Sequence, residues 1–172
     1  LRYTSHLLLF RIKERKRKMR REDREVKDIN SIFDILERCT VIRVCLFDSE
    51  YPYVIPMTFG AELDNGEITI YFHSAQSGKK NTLLGLDNRV SVETDLYYRT
   101  EESFGGITAK YESVIGSGNA IKLEEVKDKV HGLKVILDHY NRTGFPVESC
   151  KGLSKCDVYA IKLKEISGKH NL

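Results

Sequence analysis

Apolar residues along the chain change their period several times, and each change marks an element. Ile29, Ile32, Phe33 and Leu36 recur at i, i+3, i+4 and i+7, which predicts an amphipathic helix over residues 28–38 with Asp28 as its N-cap. Short runs rich in β-branched and aromatic residues follow. Residues 41–47 and 53–59 predict two strands around a turn at Asp48-Ser49-Glu50, and Asp64-Asn65-Gly66 predicts a hairpin turn before a strand over 67–73. Residues 90–97 and 111–121 read as two further strands. A late strand over 158–166 sets Ile161, Leu163 and Ile166 against Lys162, Lys164 and Glu165. Two helices interrupt the strands: 77–86, whose Leu83, Leu84 and Leu86 can turn inward, and 124–140. In the second, Val126, Val130, Leu133, Leu137 and Tyr140 step by four, three, four and three. Strands and helices do not alternate as a parallel sheet requires, so the expected fold class is mainly β, an antiparallel barrel with peripheral helices.

Composition narrows the class without naming a chemistry. A chain of 172 residues with 41% hydrophobic and 31% charged residues can bury one real core, and two comfortable domains would need more. No stretch approaches the apolar length of a membrane helix, so no membrane association is expected. The apolar run over residues 7–10 is too short for a signal peptide, which points to a cytoplasmic protein. Charge is uneven: nine basic residues stand against Glu14 alone in the first 21, a balance of +8. With +3 overall, the remainder carries −5. The first methionine is Met19, and residues 1–18 read as a basic extension preceding a domain over 19–172. Such a tail can attract nucleic acid or anionic lipid, but charge alone specifies no partner, and nucleic acid is not expected as one.

Cys39, Cys45, Cys150 and Cys156 fall as two pairs with five residues between partners, wider than the usual spacing of zinc ligands. Free buried or half-buried thiols are expected, and no metal site is assigned. His131 and His139 lie eight residues apart on the long helix, more than two turns, and receive no metal role either. Neither a P-loop nor a dinucleotide-binding glycine motif is present.

The segment Ile70-Tyr71-Phe72-His73-Ser74-Ala75-Gln76-Ser77-Gly78-Lys79-Lys80 carries the most chemistry. A strand ends at His73, a loop of small residues follows, and a helix opens near Ser77 with two lysines in its first turn. Cations are disfavoured at that end of a helix dipole unless an anion sits there too. A phosphate would take backbone N–H groups from the helix start and charge from Lys79 and Lys80. A solvated lysine pair is the plainer alternative.

Several motifs stand in order and at sensible spacing. They are Met19-Arg20-Arg21-Glu22-Asp23-Arg24-Glu25, Tyr51-Pro52-Tyr53-Val54-Ile55-Pro56-Met57-Thr58-Phe59-Gly60, and Tyr71-Phe72-His73-Ser74-Ala75 with Gly78-Lys79-Lys80. Tyr111-Glu112-Ser113-Val114-Ile115-Gly116-Ser117-Gly118 and Ile166-Ser167-Gly168-Lys169 complete the set, which spans nearly all of residues 19–170. Together they resemble the nitroimidazole-resistance branch of the pyridoxamine-phosphate-oxidase-like superfamily.

This resemblance implies a six-stranded antiparallel FMN-binding split barrel that forms a homodimer, with flavin in the clefts between subunits. FMN is the implied cofactor, with FAD as the alternative where the phosphate end is open. Carried over by position, Pro56, Met57, Thr58 and Phe59 would lie along the flavin ring, with Met57 or Phe59 packing nearby. His73, Ser74, Ala75, Lys79 and Lys80 would surround the ribityl phosphate, and Ser113, Val114 and Ile115 would approach the flavin from the partner subunit. The implied activity is an oxidoreductase that takes electrons from NAD(P)H and reduces a small nitroaromatic or quinone. A non-catalytic flavin- or cofactor-binding protein is the alternative.

His73 is the candidate catalytic residue, as a hydrogen-bond or proton donor, although it can equally cap a strand end or hold phosphate. The family often carries a cysteine before the Tyr111 strand. Here that region reads Phe104-Gly105-Gly106-Ile107-Thr108-Ala109-Lys110, so no thiol role transfers, and the glycine pair suggests a flexible loop bordering the cleft. Tyr97-Tyr98 can stack on a ligand or simply pack. Gly116 and Gly118 mark a bulge or a close backbone approach.

Overall fold

The computed structural model describes residues 19–172, so the basic extension over 1–18 lies outside the described residues. A 3-10 turn at Glu22–Arg24 leads into β1 (Glu25–Val26) and α1 (Ile29–Arg38). Asp28 caps α1 as expected, its carboxylate accepting from the Ser31 N–H at 2.9 Å. Then come β2 (Ile42–Leu46), β3 (Tyr53–Met57), β4 (Gly60–Asp64), β5 (Glu67–Ala75), α2 (Lys79–Leu86), β6 (Arg89–Ser103), β7 (Gly106–Lys122), α3 (Val126–His139) and β8 (Cys156–Asn171). The six expected strands are β2, β3, β5, β6, β7 and β8; β4 and the two-residue β1 are additions.

All strands join one antiparallel sheet in the order β3-β2-β6-β7-β8-β5-β4, with β1 added along β8. The two edge strands, β3 and β4, are consecutive in the chain and separated only by Thr58 and Phe59. Three Cα–Cα steps span at most about 11 Å, so the sheet must roll until its edges nearly meet. It does not close. That is a split barrel.

Inside the roll, Ile42, Val44, Leu46, Ile70, Phe72, Val90, Val92, Val114 and Ile161 alternate with outward residues along their strands, and α1 adds Ile32, Ile35 and Leu36. α3 packs outside, on β4, β5 and β8. Two glycines set its distance. A Cβ on Gly60 would lie 2.5 Å from the Val135 carbonyl oxygen, and one on Gly132 would lie 2.9 Å from the Tyr71 ring. The helix therefore buries Val130, Gly132 and Ile136, while the expected Val126 is exposed and Leu133 and Leu137 are half-buried. Its C-terminal turn is tied down by Tyr140, whose hydroxyl accepts from the Phe59 N–H at 3.2 Å and donates to the Thr40 carbonyl at 2.6 Å.

Other expectations need correction. Leu86 points away from the core and is 80% exposed, because α2 stops there and only Leu83 and Leu84 reach inward. The supposed flexible loop at Gly105-Gly106 is the tip of a long β6–β7 hairpin. Phe104 and Gly105 both take positive φ, 47° and 77°, the two-residue turn that suits the twist of antiparallel strands. Asn65 and Gly66 close β4–β5 the same way, at 49° and 81°. Gly116 and Gly118 sit where β7 slips register against β8; a Cβ on Gly118 would lie 2.4 Å from the Lys162 carbonyl oxygen. The four thiols are free, but Cys150 is exposed rather than buried. Among the described residues no helix is long and apolar enough to cross a membrane.

Candidate functional site

β5 delivers the candidate residues to the end of the barrel where α2 begins. Alternation along the strand buries Phe72 and Ser74 and leaves His73 and Ala75 on the outer side. The loop then turns at Gly78, whose φ of 126° favours glycine, and α2 starts with no side-chain cap and no acidic residue in its first turn. The start of α2 thus puts its first amide N–H groups and two lysines at this end of the barrel.

The two lysines differ. Lys79 is spoken for: its ammonium pairs with Asp48 at 2.6 Å and lies 4.7 Å from the centre of the Tyr53 ring. That pairing raises the Lys79 pKa and lowers that of Asp48. Lys80 is half-buried and ion-pairs with no carboxylate among the described residues. Its ammonium stands 3.5 Å from the Met57 sulfur and 5.5 Å from the centre of the Phe72 ring, and burial pushes it below 10.5. His73 stands close enough to feel this charge. Desolvation first, and Lys80 second, hold its imidazole below 6.5. A half-buried cation without a counter-ion beside free helix N–H groups suits an oxyanion.

Ser74 faces inward instead of toward that spot. Its hydroxyl lies 2.8 Å from the Ala75 carbonyl and 3.1 Å from Asn81 Oδ1. Asn81 in turn donates to the Ala75 carbonyl at 3.0 Å and reaches Asp157 at 3.3 Å. It fastens the first turn of α2 to β5 and β8, so it positions Lys79 and Lys80. Neither Asn81 nor Asp48 was legible as a site residue; the only hint for Asn81 was its place directly after the lysine pair.

The remaining candidates divide by face. Pro56 and Thr58 are exposed, and Met57 turns inward beside Lys80. Phe59 is fully buried against the His139 ring at 4.6 Å and its N–H is taken by the Tyr140 hydroxyl, so it is a core residue and not one open to a ligand. Val114 is likewise core, whereas Ser113 and Ile115 face outward. Tyr98 donates from its hydroxyl to the buried Glu112, which Arg38 also binds, so it is held by packing and hydrogen bonds.

Within one chain the two halves of the expected site do not meet. Pro56 opposes Arg43, Arg43 opposes Glu93, and Glu93 opposes Ile115, so Pro56 and Ile115 share one row across four strands, roughly 14 Å apart. His73 and Ile115 oppose Val158 and Ser167 of β8, nine residues or about 30 Å along that strand.

The family model described as pyridoxamine 5'-phosphate oxidase matches residues 28–170, nearly the whole described domain. The chain belongs to that family. Among solved structures, the chain is similar to a candidate 5-nitroimidazole antibiotic resistance protein from Bacteroides thetaiotaomicron. The two are 26% identical with a TM-score of 0.74, over 84% of this chain and 85% of the other. The flavocytochrome Anf3 from Azotobacter vinelandii shares the fold at 19% identity and a TM-score of 0.73, over 93% of this chain and 75% of that one. A FAD-binding protein from Mesorhizobium loti does so at 20% and 0.63, over 87% and 98%. No curated protein matches the sequence. As a pyridoxamine 5'-phosphate oxidase family member the chain has the split barrel its sequence motifs imply.

Proposed function

We propose that this chain is a flavin-binding oxidoreductase that takes electrons from NAD(P)H and passes them to a small electron-poor acceptor of the nitroaromatic or quinone type. The observation that carries the reading is Lys80, a half-buried cation with no carboxylate partner, held beside His73 and the uncapped start of α2. This donor set fits the phosphate of FMN. FAD is the alternative, supported by the FAD-binding protein from Mesorhizobium loti that shares this fold.

The rest follows from what the chain's own groups can do. Because β3 is an edge strand, half of its backbone N–H and C=O groups face away from β2 and are free to bind the polar rim of a flavin ring. Pro56 contributes only a carbonyl there. Lys80 and the α2 amides anchor the phosphate, while Met57 packs beside the Lys80 stem. Desolvation and Lys80 favour the neutral form of His73, which supplies one N–H and one lone pair, and an arriving anion favours its protonation. Flavin, when bound, supplies the electron transfer itself.

A second copy of the chain completes the site. The outer face of β3, β2, β6 and β7 carries Val54 and Ile115, which are 53% and 55% exposed. A homodimer through this face would bring Ser113 and Ile115 of one copy toward Pro56–Thr58 of the other, which one chain by itself does not do.

The test is the visible spectrum of the purified protein before and after NADPH and NADH. Flavin bands that bleach and return with a nitro compound or quinone support the reductase. Bound flavin that neither nucleotide reduces favours a non-catalytic flavin carrier, and a protein that refuses both FMN and FAD removes the reading.

A further inference from the structure

The outer face of the sheet carries a second cationic cluster, at the far end of β8 from Lys80. Tyr111 opposes Asn171 across β7 and β8, Ser113 opposes Lys169, and on the other side of β8 Glu25 opposes Lys169. Opposed residues share a face, as do alternate residues of one strand. Tyr111, Ser113 and Lys169 therefore project together, outward, because Glu112 and Val114 between them are buried. The Glu22–Arg24 turn packs on β8 and brings Arg24 to the same place.

One carboxylate, Glu25, stands across from Lys169 but pairs with Lys27 instead. Lys169 Nζ lies 5.9 Å from the centre of the Tyr111 ring. Burial pushes the Tyr111 phenol up, yet the neighbouring Arg24 and Lys169 cations outweigh that and set it below 10. Among the described residues neither cation forms an ion pair. The nearby carboxylates are engaged elsewhere, Asp23 with Arg21 at 2.5 Å and Glu25 with Lys27 at 3.8 Å. Arg24 Nε is buried and has no acceptor. A buried guanidinium N–H without a partner is costly, and an added acceptor removes that cost.

We propose that Arg24, Lys169 and Tyr111 form a binding site for a small oxyanion, the phosphate or carboxylate group of a small molecule. The guanidinium supplies a planar fork, the ammonium a point charge, and the phenol a neutral donor. Ser113 opposes Lys169, so the site borders the face proposed for the dimer, but its groups come from one chain and none belongs to the α2 position. β8 runs thirteen residues from Cys156, opposite Ala75, to Lys169, about 40 Å of strand.

The test uses inorganic phosphate as the probe and K79Q/K80Q protein as the background, so that the α2 position is silenced. Binding is followed by calorimetry and by the backbone amide shifts of Arg24, Tyr111 and Lys169, with a thermal melt to confirm folding. Phosphate is expected to bind this background and to shift those amides. R24Q or K169Q on that background is expected to weaken it about tenfold or more, and Y111F by less. If R24Q does not fold, K169Q and Y111F carry the test. No phosphate binding to the background protein, or binding that R24Q and K169Q leave unchanged, overturns the proposal. Flavin content is not part of the readout, so failure of this site and failure of the proposed function are seen separately.

Discussion

Lys80 and Met57 meet at the end of the barrel, the ammonium nitrogen 3.5 Å from the methionine sulfur. A thioether is a poor substitute for an oxyanion acceptor, and burial already disfavours the charge of Lys80. The contact joins edge strand β3 to the first turn of α2, the two elements that would hold the ring and the phosphate of one ligand.

Lys80→Met should separate stability from binding. Removing a half-buried uncompensated cation is expected to raise the melting temperature of ligand-free protein, by roughly 2–4 °C per kcal/mol gained in a domain of this size. The same change should weaken FMN binding about tenfold or more, measured by flavin fluorescence. Lys79→Met should do less, because its ammonium is exposed and already paired with Asp48.

Acid sensitivity should trace in part to His73. Its folded pKa lies below 6.5, so the unfolded chain takes up the proton first as pH falls. Stability from this group is complete above about pH 6.5 and declines below it, toward the folded value. Urea titrations between pH 7.5 and 5 should show a smaller decline in His73→Gln. Flavin affinity should run the other way: an anion beside the imidazole favours the protonated ring, so binding tightens as pH falls and His73→Gln flattens the trend.

Gly60→Ala should be among the most damaging small changes. The new methyl would sit 2.5 Å from a carbonyl of α3, a backbone atom that no rotamer change moves aside. Forced separation of α3 from β4 is expected to cost about 1–3 kcal/mol in denaturant unfolding. Gly66→Asn, at a turn where φ is 81° and the added Cβ meets nothing, should cost less.

Ile115→Glu tests the second copy. The side chain points off the barrel and is outside the core, so a folded protein is expected. Sedimentation should shift the variant toward monomer, and flavin should be lost with the dimer. A variant that remains dimeric and keeps its flavin would place the interface elsewhere.

Local chemistry was readable along the chain. Asp28 before a run at helical spacing dictates a capped helix, Asp64-Asn65-Gly66 a tight hairpin, and the alternation of apolar and charged residues in 158–166 a strand, because each depends on the backbone preferences of a few consecutive residues. The ordered motifs also marked the family. The basic extension remains a reading of charge alone.

Tertiary structure decided what depends on distant partners. The stripe of α3 turned toward Gly132 because that glycine meets Tyr71, a contact no helical period encodes. Lys79 and Lys80 are adjacent in sequence and alike in type, yet Asp48, brought in by the β2–β3 turn, neutralises one and leaves the other bare. The grouping of Arg24, Tyr111 and Lys169 arises only when β1 and the turn before it add to β8. Residues far apart in sequence acquire a common charge environment through strand register and packing, and that environment is what separates a binding group from a solvated one.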